Sequence, residues 1–141
     1  MKWNKSTRFG LYAVLEMARA GERLVQIPAL AERYGISAHH LSKVMQALTR
    51  AGLARAVRGV GGGYGLARSA KEITLLDVVE VFEGTMDLDR CLLHGTDEGQ
   101  CANRPGCRLA RVFDEIEAQA FFTLKSIRLS TLLDQDQTAI P

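Results

Sequence analysis

Apolar positions recur along the chain at steps of three and four, broken by one short stretch of alternation. Phe9, Tyr12, Leu15 and Ala18 share one side of a predicted first helix, which Ser6 or Thr7 can cap and Gly21 ends. A shorter second helix is predicted from near Pro28, whose fixed φ suits a first turn, through Ala29 to Tyr34, with Gly35 as its stop. Ser37 then caps a third helix that gathers Leu41, Val44, Met45 and Leu48 on one side and ends at Ala51-Gly52. Helix, glycine turn and helix at this spacing form the helix-turn-helix pattern. Next, Leu53 to Arg58 alternates as a strand, Gly59 to Gly63 turns, and Tyr64 to Arg68 returns, which predicts a β-hairpin. Thr74 and Asp77 stand as a capping box ahead of Leu75, Val78, Val79 and Phe82, and Gly84 closes that helix. Finally Leu109, Phe113, Ile116, Ala120, Leu124, Ile127 and Thr131 follow one another on a helix predicted from Arg108 to Leu133.

These elements predict a mainly α fold: a winged helix-turn-helix with a small β-hairpin wing and a long C-terminal dimerisation helix. Residues 1–84 would form the DNA-binding domain, 85–107 a cysteine-containing sensor loop, 108–133 the dimerisation helix and 134–141 a flexible tail. An apolar stripe on a helix of about 25 residues exceeds what so small a domain needs to cover itself, so a second copy of the chain is its expected partner. Packing back onto its own domain is the competing fate. Apolar residues make up 47% of the chain, enough for an ordinary core. No apolar run approaches the roughly 18 residues of a membrane span, and Met1-Lys2-Trp3-Asn4-Lys5 lacks the features of a secretory signal. A cytoplasmic location without membrane contact is therefore expected.

The net charge of +2 conceals an asymmetry. Residues 1–71 hold twelve Lys/Arg against three Asp/Glu, and residues 72–141 hold six against thirteen. A local excess of that size attracts polyanions, whereas a merely solvated basic face is the bland alternative. The third helix turns His39, His40, Ser42, Lys43, Gln46 and Arg50 outward. In this fold the second helix of the pair enters the major groove with its N-terminal residues nearest the base edges. Ser37, His39, His40, Ser42 and Lys43 are therefore the candidates for contact with a double-stranded operator. In the wing, Arg58, the side-chain-free Gly61, Gly62 and Gly63, and Tyr64 complete the candidate DNA-binding set, because bare backbone can approach phosphates and arginine favours a narrow minor groove. A nucleotide-binding glycine loop is the rival reading. It fails because Tyr64 stands where G-x-G-x-x-G needs its last glycine, and no long helix opens from the loop.

Three cysteines, Cys91, Cys101 and Cys107, fall in one short stretch, and the rest of the chain has none. Gly95, Gly99, Pro105 and Gly106 make the segment between them a loop. The spacing lacks the paired C-x2-C knuckles of structural zinc sites. Cys107 precedes the last helix, where free N–H groups favour a thiolate, and Arg104 and Arg108 flank it. Thiolates bind soft metals and iron–sulfur clusters. An iron–sulfur cluster of two or four irons, a cluster-free thiol redox switch and incidental buried cysteines all stay open on these grounds. An iron–sulfur electron carrier docking acidic proteins through its basic half is the alternative from another functional class.

The runs Ile36-Ser37-Ala38-His39-His40-Leu41-Ser42-Lys43-Val44 and Val57-Arg58-Gly59-Val60-Gly61-Gly62-Gly63-Tyr64, with the cysteine triplet ahead of a C-terminal helix, resemble the Rrf2 family of dimeric bacterial winged-helix transcription regulators. The resemblance covers residues 1 to about 133. It implies iron–sulfur ligation by Cys91, Cys101 and Cys107, DNA contacts from the third helix and Arg58, and regulation by cluster status, iron, redox state or nitric oxide; a repressor is the expected mode. The chain departs from the pattern in two places. The IscR-like branch has a histidine where Ala110 stands, and the NsrR-like branch can use an aspartate where Arg8 stands. The fourth ligand is thus unassigned, with His94, Asp97 and Glu98 in the same loop, a group from the partner subunit and a small exogenous ligand as candidates.

Overall fold

A computed structural model describes residues 2–86 and 106–136. The element order is α1 (Lys5–Ala20), α2 (Ile27–Tyr34), α3 (Ala38–Arg50), β1 (Ala54–Val57), β2 (Gly63–Leu66), α4 (Leu75–Glu83), α5 (Arg108–Ser126) and α6 (Leu129–Asp136). The mainly helical fold with its two-stranded wing matches the predicted class. Cys91 and Cys101, and with them His94, Asp97 and Glu98, lie outside the described residues.

Local chemistry accounts for most boundaries. Asn4, rather than Ser6 or Thr7, caps α1: its side-chain oxygen accepts from the Thr7 backbone N–H at 2.9 Å. Thr7 itself is fully buried, and its single hydroxyl proton lies between two acceptors, Asn4 Oδ1 and Glu83 Oε1. Gly35 ends α2 in the left-handed region, and Ile36 N–H reaches back to Ala31 C=O at 3.0 Å, satisfying a carbonyl of the last turn. The Thr74–Asp77 capping box opens α4 with both reciprocal bonds in place, at 3.2 and 2.8 Å.

The core lies where α1, α3 and α4 meet. Leu41, Val44, Met45 and Leu48 of α3 are all at most 1% exposed and pack with Ala13, Val14 and Met17 of α1. Each such aliphatic side chain contributes about 1.5–3 kcal/mol on burial. Helix α1 also lies close against α4: a Cβ on Gly10 would meet the Phe82 ring at 2.4 Å. Glu16 is a buried carboxylate held by the Arg19 guanidinium at 2.9 Å, the Tyr34 hydroxyl and Arg33 at 3.4 Å, which joins α1 to α2.

The C-terminal helix differs from the expected single rod over 108–133. It stops at Ser126, and after Ile127 and Arg128 a separate α6 continues to Asp136, into the stretch read as tail. The break is tertiary in origin. Ile127 C=O accepts from Leu75 N–H at 2.9 Å, Leu129 N–H donates to Ile73 C=O at 3.0 Å, and Ser130 N–H donates to Ala70 C=O at 3.0 Å. Those bonds take the backbone out of the helical ladder, and Leu129 becomes fully buried in the main core. Leu124 meets Leu76 and Val79 of α4, beside Phe121, Trp3 and Met86. Nearer its start, α5 leaves Leu109, Val112, Phe113 and Ile116 exposed at 42–63%.

Candidate nucleic-acid interface and cysteine site

Ser37 stands at the start of α3, and its side chain accepts from His40 N–H at 3.4 Å. His39 and Lys43 are exposed on the outer face, and Ser42 is half-buried beside them. His40 behaves differently. Its Nε2 lies 3.0 Å from Ser6 Oγ, and its ring meets Phe9 edge-on with centroids 4.9 Å apart. This imidazole is committed to the joint between α1 and α3, so its side chain is turned away from the outward set in which the sequence pattern placed it.

The wing is an antiparallel pair in which Ala54 faces Leu66 and Val57 faces Gly63. Its connecting loop carries exposed Arg58, with Gly59 and Gly61 at φ 99° and 75°, which glycine adopts without strain. Gly62 and Gly63 answer a second demand. A Cβ at Gly62 would lie 2.3 Å from Val57 O, and one at Gly63 would lie 2.7 Å from Val25 O. The wing is also tied down. Val25 and Tyr64 exchange two backbone hydrogen bonds of 2.8 Å, and Gln26 Nε2 donates to Gly62 O at 3.3 Å. Tyr64, a candidate contact from sequence, is half-buried and packs against the main core, so it anchors the wing.

Between the wing and α3 runs a groove of about 620 Å³, lined by Gln26, Ile27 and Pro28 at the start of α2, Gln46, Thr49 and Arg50 of α3, and Ala56 to Arg58 with Gly62 to Tyr64 of the wing. Sequence reasoning placed Arg58 and the glycines here but left Gln26, Gln46, Thr49 and Arg50 out of the site. The readable signal was the spacing of Ser42, Gln46 and Arg50, which puts all three along one line of α3.

Cys107 is half-buried at the N-cap of α5, and its Sγ accepts from Ala110 N–H at 3.4 Å. The sulfur thus stands where a side-chain N-cap acceptor stands, at the opening turn of the helix. Among the described residues no group of three His, Cys, Asp or Glu side chains comes together as a metal site. The donor chemistry of Cys107 fits thiolate ligation, while the other two proposed ligands lie outside the described residues.

Known proteins give the arrangement its context. Residues 3–135 match the Rrf2 family, described as an iron-dependent transcriptional regulator. The chain belongs to the Rrf2 family. BadM of Rhodopseudomonas palustris, an HTH-type transcriptional regulator by name, is 41% identical over 94% of this chain and 81% of its own length. The HTH-type transcriptional regulator IscR of Cereibacter sphaeroides is 30% identical, covering 100% of this chain and 92% of that protein. Among solved structures, CymR, the global cysteine regulator of B. subtilis, superposes with a TM-score of 0.77 at 26% identity, over 96% of this chain and 98% of CymR. IscR of T. potens superposes at 0.75, also at 26% identity, over 100% and 93%. The protein is thus a DNA-binding transcriptional regulator of the Rrf2 family, and its relatives belong to a non-enzymatic class. That membership decides against the electron-carrier alternative. No described helix is long and apolar enough to cross a membrane. Of the two positions singled out in the sequence, Ala110 is buried in the first turn of α5 and Arg8 is exposed on α1.

Proposed function

We propose that this Rrf2 protein is a cytoplasmic, homodimeric repressor that binds a double-stranded operator under the control of an iron–sulfur cluster held by Cys91, Cys101 and Cys107. The observation that carries the reading is the position of Cys107. It opens α5, whose far end packs through Leu124 on Leu76 and Val79 of α4. Helix α4 is in turn joined to α1 through Phe82 against Gly10 and through Glu83 on Asn4 and Thr7. A bound cluster would supply a centre responsive to iron supply, oxidant or nitric oxide. The protein's part is to fix the thiolates and to connect α5 with the reading heads through packed, hydrogen-bonded contacts. Regulation then follows from a difference in DNA affinity between ligated and free thiols.

His39, Ser42 and Lys43 face the operator from the first turns of α3, with Ser37 fixing where that helix starts. Arg58 enters the adjoining minor groove, and Gly61, Gly62 and Gly63 let the wing backbone come close. His40 and Tyr64 hold α3 and the wing in place. The exposed apolar face at the start of α5 supports the homodimer, whose two readers would address half-sites about one helical turn apart. The test is to isolate the protein without oxygen, record its ultraviolet–visible and Mössbauer spectra, and compare operator affinity with and without the cluster. Iron-bearing, coloured protein whose affinity changes on cluster removal is expected. Colourless, iron-free protein with full operator affinity would sink the cluster reading.

A second reading is a cluster-free thiol switch. Its support is the likeness to CymR of Staphylococcus aureus, solved in an oxidized form, at a TM-score of 0.68 and 26% identity over 94% of this chain and 95% of CymR. On that reading, oxidant changes the operator affinity of iron-free protein and a dithiol reductant restores it.

A further inference from the structure

The groove between α3 and the wing has a charge pattern that the reading of α3 does not use. Of its twelve lining residues, the only charged ones are Arg50 and Arg58, both basic. Both arginines are exposed, and neither has a hydrogen-bond or ion-pair partner among the described residues. Gln26 and Gln46 add amides to the same walls. The wing wall is largely backbone, since Gly62 and Gly63 have no room for a side chain. The width between the walls is preset, because the Val25–Tyr64 bonds and the Gln26–Gly62 bond hold the wing against the start of α2. A fixed, open, cationic groove with a bare backbone wall suits a chain of repeating negative charge.

The position of Arg50 says which part of a duplex it meets. His39 and Arg50 are eleven positions apart on α3, which at 1.5 Å per residue places them about 16 Å apart along the axis. The major groove is only about 12 Å wide. With the His39 end at the base edges, the Arg50 end therefore reaches the strand bounding the groove. The geometry points to Arg50 as a phosphate contact that, with Arg58 opposite, seats one sugar–phosphate strand between α3 and the wing. This inference rests on the DNA-binding reading and divides its labour: the first turns of α3 discriminate sequence, and the groove supplies affinity that ignores sequence.

The experiment measures binding of the full-length protein to its operator and to an unrelated duplex over a range of salt concentrations. Arg50→Gln should weaken both by a similar factor, about five- to tenfold, and should lower the slope of log affinity against log salt by about one. Arg50→Lys keeps the charge and should keep the slope. Lys125→Gln, the same change of charge on α5, should alter neither duplex preference nor slope appreciably. A loss confined to the operator with an unchanged slope would make Arg50 a base reader and overturn the proposal, as would no loss at all. A wild-type protein that binds no duplex under any salt condition would instead remove the DNA reading of the site, and this proposal with it.

Discussion

Helices α3 and α5 carry the same kind of apolar stripe and meet opposite fates. In α3, Leu41, Val44, Met45 and Leu48 are all buried against α1 and its neighbours. In α5 only Ala110 and Leu124 fall below a tenth exposed, while Leu109, Val112, Phe113 and Ile116 stay open to solvent. Periodicity therefore identifies an amphipathic helix without saying what covers it. The buried stripe belongs to the fold of one chain. The open one is left exposed by the described residues, and a second copy is the occupant proposed above.

The sharpest way to break this comparison is to shorten one side chain in each stripe. Leu41→Ala should lower the unfolding free energy by about 2–5 kcal/mol, read by urea titration, because a cavity opens in a filled core. Phe113→Ala should leave that titration nearly unchanged at low protein concentration and should shift sedimentation equilibrium toward monomer. An equal loss of chain stability in both variants would mean that α5 is covered from within. At the operator, Arg58→Ala should cost about 1–3 kcal/mol of affinity by fluorescence anisotropy at fixed salt, with no change in the urea midpoint. Thr74→Ala should cost about 1 kcal/mol of stability by removing one side of the α4 capping box. The smallest effect concerns Tyr34. Burial, then its bond to the Glu16 carboxylate, raises the phenol above its ordinary value of 10.0. A group that holds its proton more tightly when folded stabilises the protein fully below its unfolded pKa and loses that contribution as pH rises through the folded one. Thermal midpoints should thus fall more steeply above about pH 10 in the wild type than in Tyr34→Phe; parallel curves would remove Tyr34 from the account.

Elements whose boundaries depend on nearby residues were legible in the sequence. Gly21, Gly35, Ser37, the Thr74–Asp77 box and Gly84 all act within a few positions of themselves, and the structure places helix ends at each. Apart from the Asn4 cap of α1, what the pattern did not show depends on distant partners. The break after Ser126 has no glycine or proline to announce it, and comes from bonds to Leu75, Ile73 and Ala70. His40 looks like any exposed polar residue until Ser6 and Phe9, more than thirty positions earlier, are brought beside it. The candidate groove is assembled from α2, α3 and the wing, so Arg50 reads as an ordinary surface arginine until those three meet.

The sulfur of Cys107 spends a lone pair on the peptide N–H of Ala110. Alkylation, oxidation or ligation of that sulfur changes the acceptor that the opening turn of α5 meets. The Ala110 amide resonance is consequently expected to follow the sulfur's condition without any added label.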